Sequence, residues 1–227
     1  MNRSALVVAA HPDDEVLGCG GTMARLADDG WDVDVLILGE GITSRDGIRD
    51  AQKHVQDLEM LKETAQRANS VLGVRDVLFG DLPDNRFDIV PLLDVVKIVE
   101  RCVDDRCPTM VFTHYEGDLN VDHRVTVRAV KTATRPMRGC PVVEVLSFSV
   151  LSSTEWNFGA SVYAPQVFYD ISTTLERKKQ AMAAYTGELR EWPHPRSLPA
   201  IEHEARGRGS VIGGDAAEGF VLLRSVR

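Results

Sequence analysis

The sequence predicts an α/β fold, a single domain built on a largely parallel sheet flanked by helices. Three observations predict it. Apolar runs of strand length alternate with helical patterns through the first two thirds of the chain. No repeat, low-complexity tract or linker divides the 227 residues, a length that suits one sizeable domain. The first apolar run, Leu6-Val7-Val8, passes directly into a dense polar turn. Sheets with helical crossovers carry their ligand sites at that edge.

The elements follow in order. Residues 4–10 read as strand, 15–29 as helix and 33–38 as strand. The polar stretch 39–50, with Thr43, Ser44 and Arg45, is long enough to serve as a lid. An amphipathic helix spans 51–72, a short strand 77–80, and a helix 91–105 carries Pro91 in its first turn. Residues 110–114 form a strand, 122–134 a helix and 142–150 a strand. The last third is less regular. A strand over 167–171 precedes a helix over 175–185. A Pro-rich turn, Trp192-Pro193-His194-Pro195, then leads to a helix over 197–206 and a terminal strand over 220–223.

Apolar residues make up 44% and charged residues 26%, an ordinary balance for a globular protein. The net charge of −8 argues against a nucleic-acid partner, because phosphate contacts need a basic face. No apolar run approaches the roughly 20 residues that span a bilayer, and the N-terminus lacks the pattern of a signal peptide. Cys19, Cys102, Cys107 and Cys140 show neither disulfide-framework nor zinc-ribbon spacing. Cys102 and Cys107 are expected to pack as small hydrophobes. These features together predict a reduced, cytoplasmic protein.

The chemistry concentrates in His11-Pro12-Asp13-Asp14-Glu15. Pro12 biases His11 toward the strand, and suits the first position of a helix itself. The three carboxylates then fall where free backbone N–H groups and the helix dipole favour anions. The spacing lets His11 and Asp14 close round one cation while Asp13 points elsewhere, and zinc accepts imidazole and carboxylate together. A solvated acidic helix cap is the plain alternative. Gly18-Cys19-Gly20-Gly21 resembles a phosphate-binding turn but falls one helical turn too late for it, after carboxylates that repel phosphate. Close packing of helix on sheet is the better reading of these glycines.

A second polar segment, running from Thr113 to Arg124, follows the apolar strand residues 110–112 at the same sheet edge. His123 near a helix start is a third candidate ligand. Asp122 or Asp118 is placed to orient an imidazole.

These motifs resemble the LmbE/PIG-L family of metal-dependent N-deacetylases. The carriers are His11-Pro12-Asp13-Asp14-Glu15 and Asp122-His123, with support from Leu82-Pro83-Asp84-Asn85 and Ala217-Glu218-Gly219-Phe220. The resemblance implies a Rossmann-like fold and a zinc ion, or another divalent metal, held by His11, Asp14 and His123. It implies Asp13 as general base, with Asp122 and Asn120 in the catalytic group. The reaction implied is hydrolysis of an N-acetylglucosamine-type sugar to acetate and a free amino sugar. Many relatives carry a histidine where Asn120 stands, and an asparagine amide donates a hydrogen bond but carries no charge. His194 is the candidate to share the oxyanion role, an exposed turn histidine being the alternative. Asp84, Asn85 and Arg86 are candidates to bind sugar hydroxyls, and Arg45 an anionic group of the substrate. An amidase acting on another amide, or a nucleotide-binding module without hydrolysis, remains open at this stage, as does homo-oligomerisation. The expected partner is a small N-acetylated sugar.

Overall fold

The structure is a computed structural model describing residues 3–159 and 161–226. Residues 1, 2, 160 and 227 of the domain expected over 1–227 lie outside the described residues. Seven strands form one sheet: β1 (Ser4–Ala9), β2 (Asp32–Gly39), β3 (Asp76–Leu82), β4 (Met110–His114), β5 (Glu144–Phe148), β6 (Val167–Asp170) and β7 (Ala217–Ser225). Their order is β3-β2-β1-β4-β5-β7-β6. The five strands from β3 to β5 run parallel, whereas β7 pairs antiparallel with both β5 and β6.

Both faces of this sheet are covered, so β1 is buried throughout and apolar from Ala5 onward. Ala5 and Val7 point to one face, Leu6 and Val8 to the other, as the two-residue period of a strand requires. The first face packs on α1 (Asp14–Asp28), α2 (Val55–Val71), α5 (Leu175–Ala184) and α6 (Leu198–Ile212). The second packs on α3 (Leu92–Arg106) and α4 (Val121–Ala133) through Val95, Val99, Val125 and Val130. Gly18 and Gly21 let α1 approach closely. A Cβ on Gly18 would lie 2.3 Å from the Phe148 ring, and one on Gly21 would lie 2.7 Å from Ile171.

The chain leaves β1 for β2 and β3 on one side, then returns to add β4 on the other. The strand order therefore reverses between β1 and β4, and their C-terminal ends flank a crevice where open α/β sheets bind ligands. The motifs at residues 11–15 and 113–124 meet there.

Several boundaries differ from expectation. The first helix begins at Asp14, one residue before the expected start, and Pro12 stays outside it, because Asp13 takes a left-handed conformation at φ 106°. The second begins at Val55, since residues 51–54 form turns in which Asp50 accepts hydrogen bonds from the backbone of Gln52 and Lys53. α6 continues six residues past Arg206 to Ile212, through Gly207 and Gly209, and stops at Gly213 in the left-handed region. Gly209 is required there by close packing on Ala216. Cys107, expected to be buried, is exposed at the end of α3, while Cys102 is buried as expected. The 39–50 segment is tethered rather than free, because Glu40 accepts hydrogen bonds from Thr43 and, through two nitrogens, from Arg49.

Candidate metal centre

Asp14, wholly buried at the start of α1, is the centre of the cluster. Its Oδ2 accepts from the backbone N–H of His11 at 2.8 Å and lies 3.2 Å from both His11 Nδ1 and His123 Nε2. Its Oδ1 is buried without a hydrogen-bond partner among the described residues. One ligand atom from each of His11, Asp14 and His123 falls within 4.8 Å of the others, and so does the set His11, Asp84 and Asp122. Two imidazoles and a carboxylate with an orphaned oxygen suit a divalent metal with an open coordination position.

Each imidazole is oriented from behind. His11 Nε2 donates to Asp122 Oδ2 at 2.9 Å, and the other Asp122 oxygen accepts from the Phe87 backbone N–H. His123 Nδ1 lies 3.1 Å from Asp118, which also accepts from the hydroxyls of Ser153 and Thr154. Such carboxylate–histidine pairs fix the tautomer and ring plane of a ligand. Asp122 and Asp118, offered by the sequence as alternatives, thus lie against different histidines, His11 and His123.

The electrostatics follow from this packing. Burial opposes a charge on His11, but hydrogen bonds to Asp122 and Asp14 raise it well above the ordinary histidine range. His123 is held at about 8 against burial by the charge of Asp14 and the bond to Asp118. Asp118 falls to about 2, its bond to His123 outweighing burial. Burial is likewise outweighed at Asp14, which His123 and His11 hold well below the ordinary carboxylate value.

Asp13 stands apart from the donor cluster. Its backbone N–H donates to Glu15 Oε2 at 3.0 Å, and Glu15 is itself fixed by the Tyr185 hydroxyl and the Asn69 amide. A non-glycine residue at φ 106° is strained, and such strain concentrates at functional positions. Arg196 Nη1 reaches Asp13 Oδ2 at 3.2 Å from 183 positions along the chain, and Glu188 at 3.3 Å. Its Nε donates to the Ser152 hydroxyl. Burial pushes the Asp13 carboxyl well above its ordinary value, opposed by the Arg196 charge and reinforced by Asp14 and Glu188. A carboxyl tuned upward accepts a proton at neutral pH with useful driving force.

Above the cluster lies a cleft of about 180 Å³. His11, Asp13, Asp84, Asn85, Asn120 and Arg45 all line it, together with Glu188 and Arg196. Asp84 accepts from the Ser44 backbone N–H, and the Asn120 amide donates to Asn85 Oδ1 at 2.9 Å. Asn120 also caps α4 by accepting from the Asp122 backbone. Arg45 is ion-paired with Glu188. Arg86 and His194 are not among the lining residues. His194 Nδ1 accepts the Arg196 backbone N–H, and its ring packs edge-on to Trp156. The charged residue that this loop brings to the cleft is Arg196, two positions later.

Sequence reasoning passed over Arg196, Glu188, the turn-holding role of Glu15, and His114. His114, at the end of β4, stacks on His123 with ring centroids 3.9 Å apart. Its Nε2 accepts the Ala10 backbone N–H at 2.8 Å. Burial and the neighbouring His123 depress its pKa well below the usual value, so it walls the cluster as a neutral ring. Its position within the second polar segment was the available signal.

A family model described as GlcNAc-PI de-N-acetylase, PIG-L, matches residues 6–134. A diacetylchitobiose deacetylase of Thermococcus kodakarensis is 26% identical over 99% of this chain and 84% of its own length. A 4-oxalmesaconate hydratase of Pseudomonas putida is 25% identical over 85% of this chain and 76% of its own. Among solved structures, the conserved protein TT1542 of Thermus thermophilus superposes with a TM-score of 0.77 at 25% identity. That match covers 98% of this chain and 96% of the other.

Proposed function

The chain belongs to the PIG-L family, and we propose from that premise that it is a zinc-dependent N-deacetylase. The proposed reaction is hydrolysis of an N-acetylglucosamine-type sugar to acetate and the free amino sugar, in the cytoplasm, by one deacetylase domain over residues 1–227. Deacetylases of this family are metal-dependent, and the named relatives include N-acetyl-sugar deacetylases. No helix among the described residues is long and apolar enough to cross a membrane. The observation that carries the reading is Asp13: a strained, buried carboxylate facing the cleft beside a His₂Asp donor set and bound to neither histidine.

His11, Asp14 and His123 would hold the metal. Bound there, it supplies Lewis acidity toward the acetamide carbonyl and acidifies water in the cleft. Asp13 takes a proton from the attacking water as the new C–O bond forms, and returns it to the nitrogen as the C–N bond breaks. Arg196 and Glu15 hold Asp13 in place from opposite sides, through its carboxylate and its backbone N–H. Asp122 and Asp118 fix the two imidazoles. Asp84 and Asn85 face the sugar hydroxyls, and the Asn120 amide presents a neutral donor toward the oxyanion. Arg45, paired with Glu188, lines one end of the cleft.

The test is acetate release from a panel of N-acetylglucosamine glycosides by the wild type and by Asp13→Ala. Turnover by the wild type that falls ~10²–10⁴-fold in the variant supports the assignment of the base. Water activated by the same group also suits addition to a carbon–carbon double bond, the reading favoured by the likeness to the hydratase. Hydration of an unsaturated polycarboxylate, with no acetate from any sugar, would replace the deacetylase reading by that one.

A further inference from the structure

The catalytic cleft does not end at Arg45. It continues into a groove of about 380 Å³ between α2 and the end of α5, and the two cavities share Ile42, Arg45, Leu61 and Glu188. Their walls differ in kind. The cleft is lined by carboxylates, amides and two guanidiniums, groups that suit a sugar. The groove is floored by Ile42, Met60, Leu61 and Ala184, with Met60 left 59% exposed. Large apolar side chains held open to solvent beside a polar site are commonly part of a ligand surface.

Resting on the deacetylase reading, we infer that the groove is the subsite for an uncharged apolar aglycone of the substrate, an alkyl or aryl group carried by the N-acetylated sugar. Continuity fixes the occupant: with the acetamide at Asp13, the rest of the molecule leaves the cleft past Arg45 and Glu188 and enters the groove. Charge fixes its chemistry. The ionised groups lining the groove are Asp57, Glu188 and Arg45, and the Arg45 guanidinium is already paired with Glu188. Asp57 is paired with His54, and Glu188 with Arg196 as well, so among the described residues lining the groove an anionic aglycone meets no cation that is not already engaged. A larger neutral apolar group meets Met60 and Leu61.

The test compares methyl, octyl and carboxyalkyl glycosides of N-acetylglucosamine, below the micelle concentration of the octyl compound, on the metal-loaded wild type and on Met60→Asp. The octyl glycoside is expected to show KM lower than the methyl glycoside by roughly 30-fold or more, with kcat little changed, since each buried methylene adds to binding. The carboxyalkyl glycoside should gain nothing over methyl. Met60→Asp should remove most of the octyl advantage. Equal KM for methyl and octyl would overturn the inference, as would an octyl advantage that survives Met60→Asp. So would a variant that only splits an oligomer on gel filtration, which would make the patch a contact between copies. Calorimetric binding of the octyl glycoside is measured alongside. If no sugar is deacetylated, binding that Met60→Asp weakens upholds the groove and defeats only the deacetylase reading; no binding defeats the groove.

Discussion

Glu218, on β7, is 5% exposed and accepts from the backbone N–H groups of Gly21 and Thr22, at 3.0 and 2.7 Å. It also accepts from Lys178 Nζ at 2.6 Å, and Lys178 is 4% exposed. Lys178 donates in addition to the Leu17 carbonyl. One carboxylate thus ties the middle of α1, whose first residue is Asp14, to β7 and α5. Glu218→Ala leaves a buried ammonium with a single carbonyl and strands two N–H groups. Removing one partner of a buried pair costs about 3–5 kcal/mol, which for a chain of this size lowers Tm by ~6–20 °C. Lys178→Met should cost less, because Glu218 keeps both backbone donors. The double variant Lys178→Met, Glu218→Ala should be more stable than the sum of the two single effects implies, by ~1–3 kcal/mol. Urea denaturation of chelator-treated protein measures this free of ligand linkage. A Glu218→Ala protein within ~0.5 kcal/mol of wild type would refute the reasoning, since that is the range of an inconsequential surface change.

Other substitutions separate binding from chemistry. His123→Ala should abolish both metal retention and turnover, whereas Asp13→Ala should keep the metal, as metal analysis beside acetate release will report. Arg196→Met should lower kcat by ~10-fold or more with metal content unchanged, and Arg196→Lys should recover part of the loss; a Met variant with wild-type kcat would remove Arg196 from the account. Metal affinity should rise with pH. Binding needs neutral imidazoles, yet His123 is held at about 8 and His11 is raised by Asp122 and Asp14. Affinity is then fullest above that value and falls as pH drops through it, by about tenfold per unit for each proton displaced. Competition against a chromophoric chelator from about pH 6.5 to about 8.5 checks this, and a flat profile would contradict it.

The parallel core was legible because its signals are local. Leu6-Val7-Val8 states a doubly covered strand by itself, and Pro12 marks where it ends. The candidate donor set was legible for a similar reason: His11 and Asp14 follow the end of β1, His123 opens the helix after β4, and the alternation of strands and helices puts both at one edge. Arg196 was not. A single arginine after a Pro-rich turn carries no pattern, and its meaning depends on an ion pair closed across 183 residues. His194, the residue of that loop which the sequence does single out, lies outside the cleft lining. The strain at Asp13 was hidden likewise, since Glu15, two residues on, reads as one more acid of a helix start until its bond to the Asp13 N–H is seen. The far end of α6 was obscured by Gly207 and Gly209, which suggest a break unless Ala216 is known to lie against the helix.

The most direct test of the central claim is metal content and acetate release on one purified sample, before chelation, after it, and after zinc is returned. The account predicts roughly one ion per chain, with acetate release from an N-acetylglucosamine glycoside lost on chelation and restored by zinc. A folded protein that takes up no zinc when offered it would contradict the account, as would acetate release that chelation leaves intact.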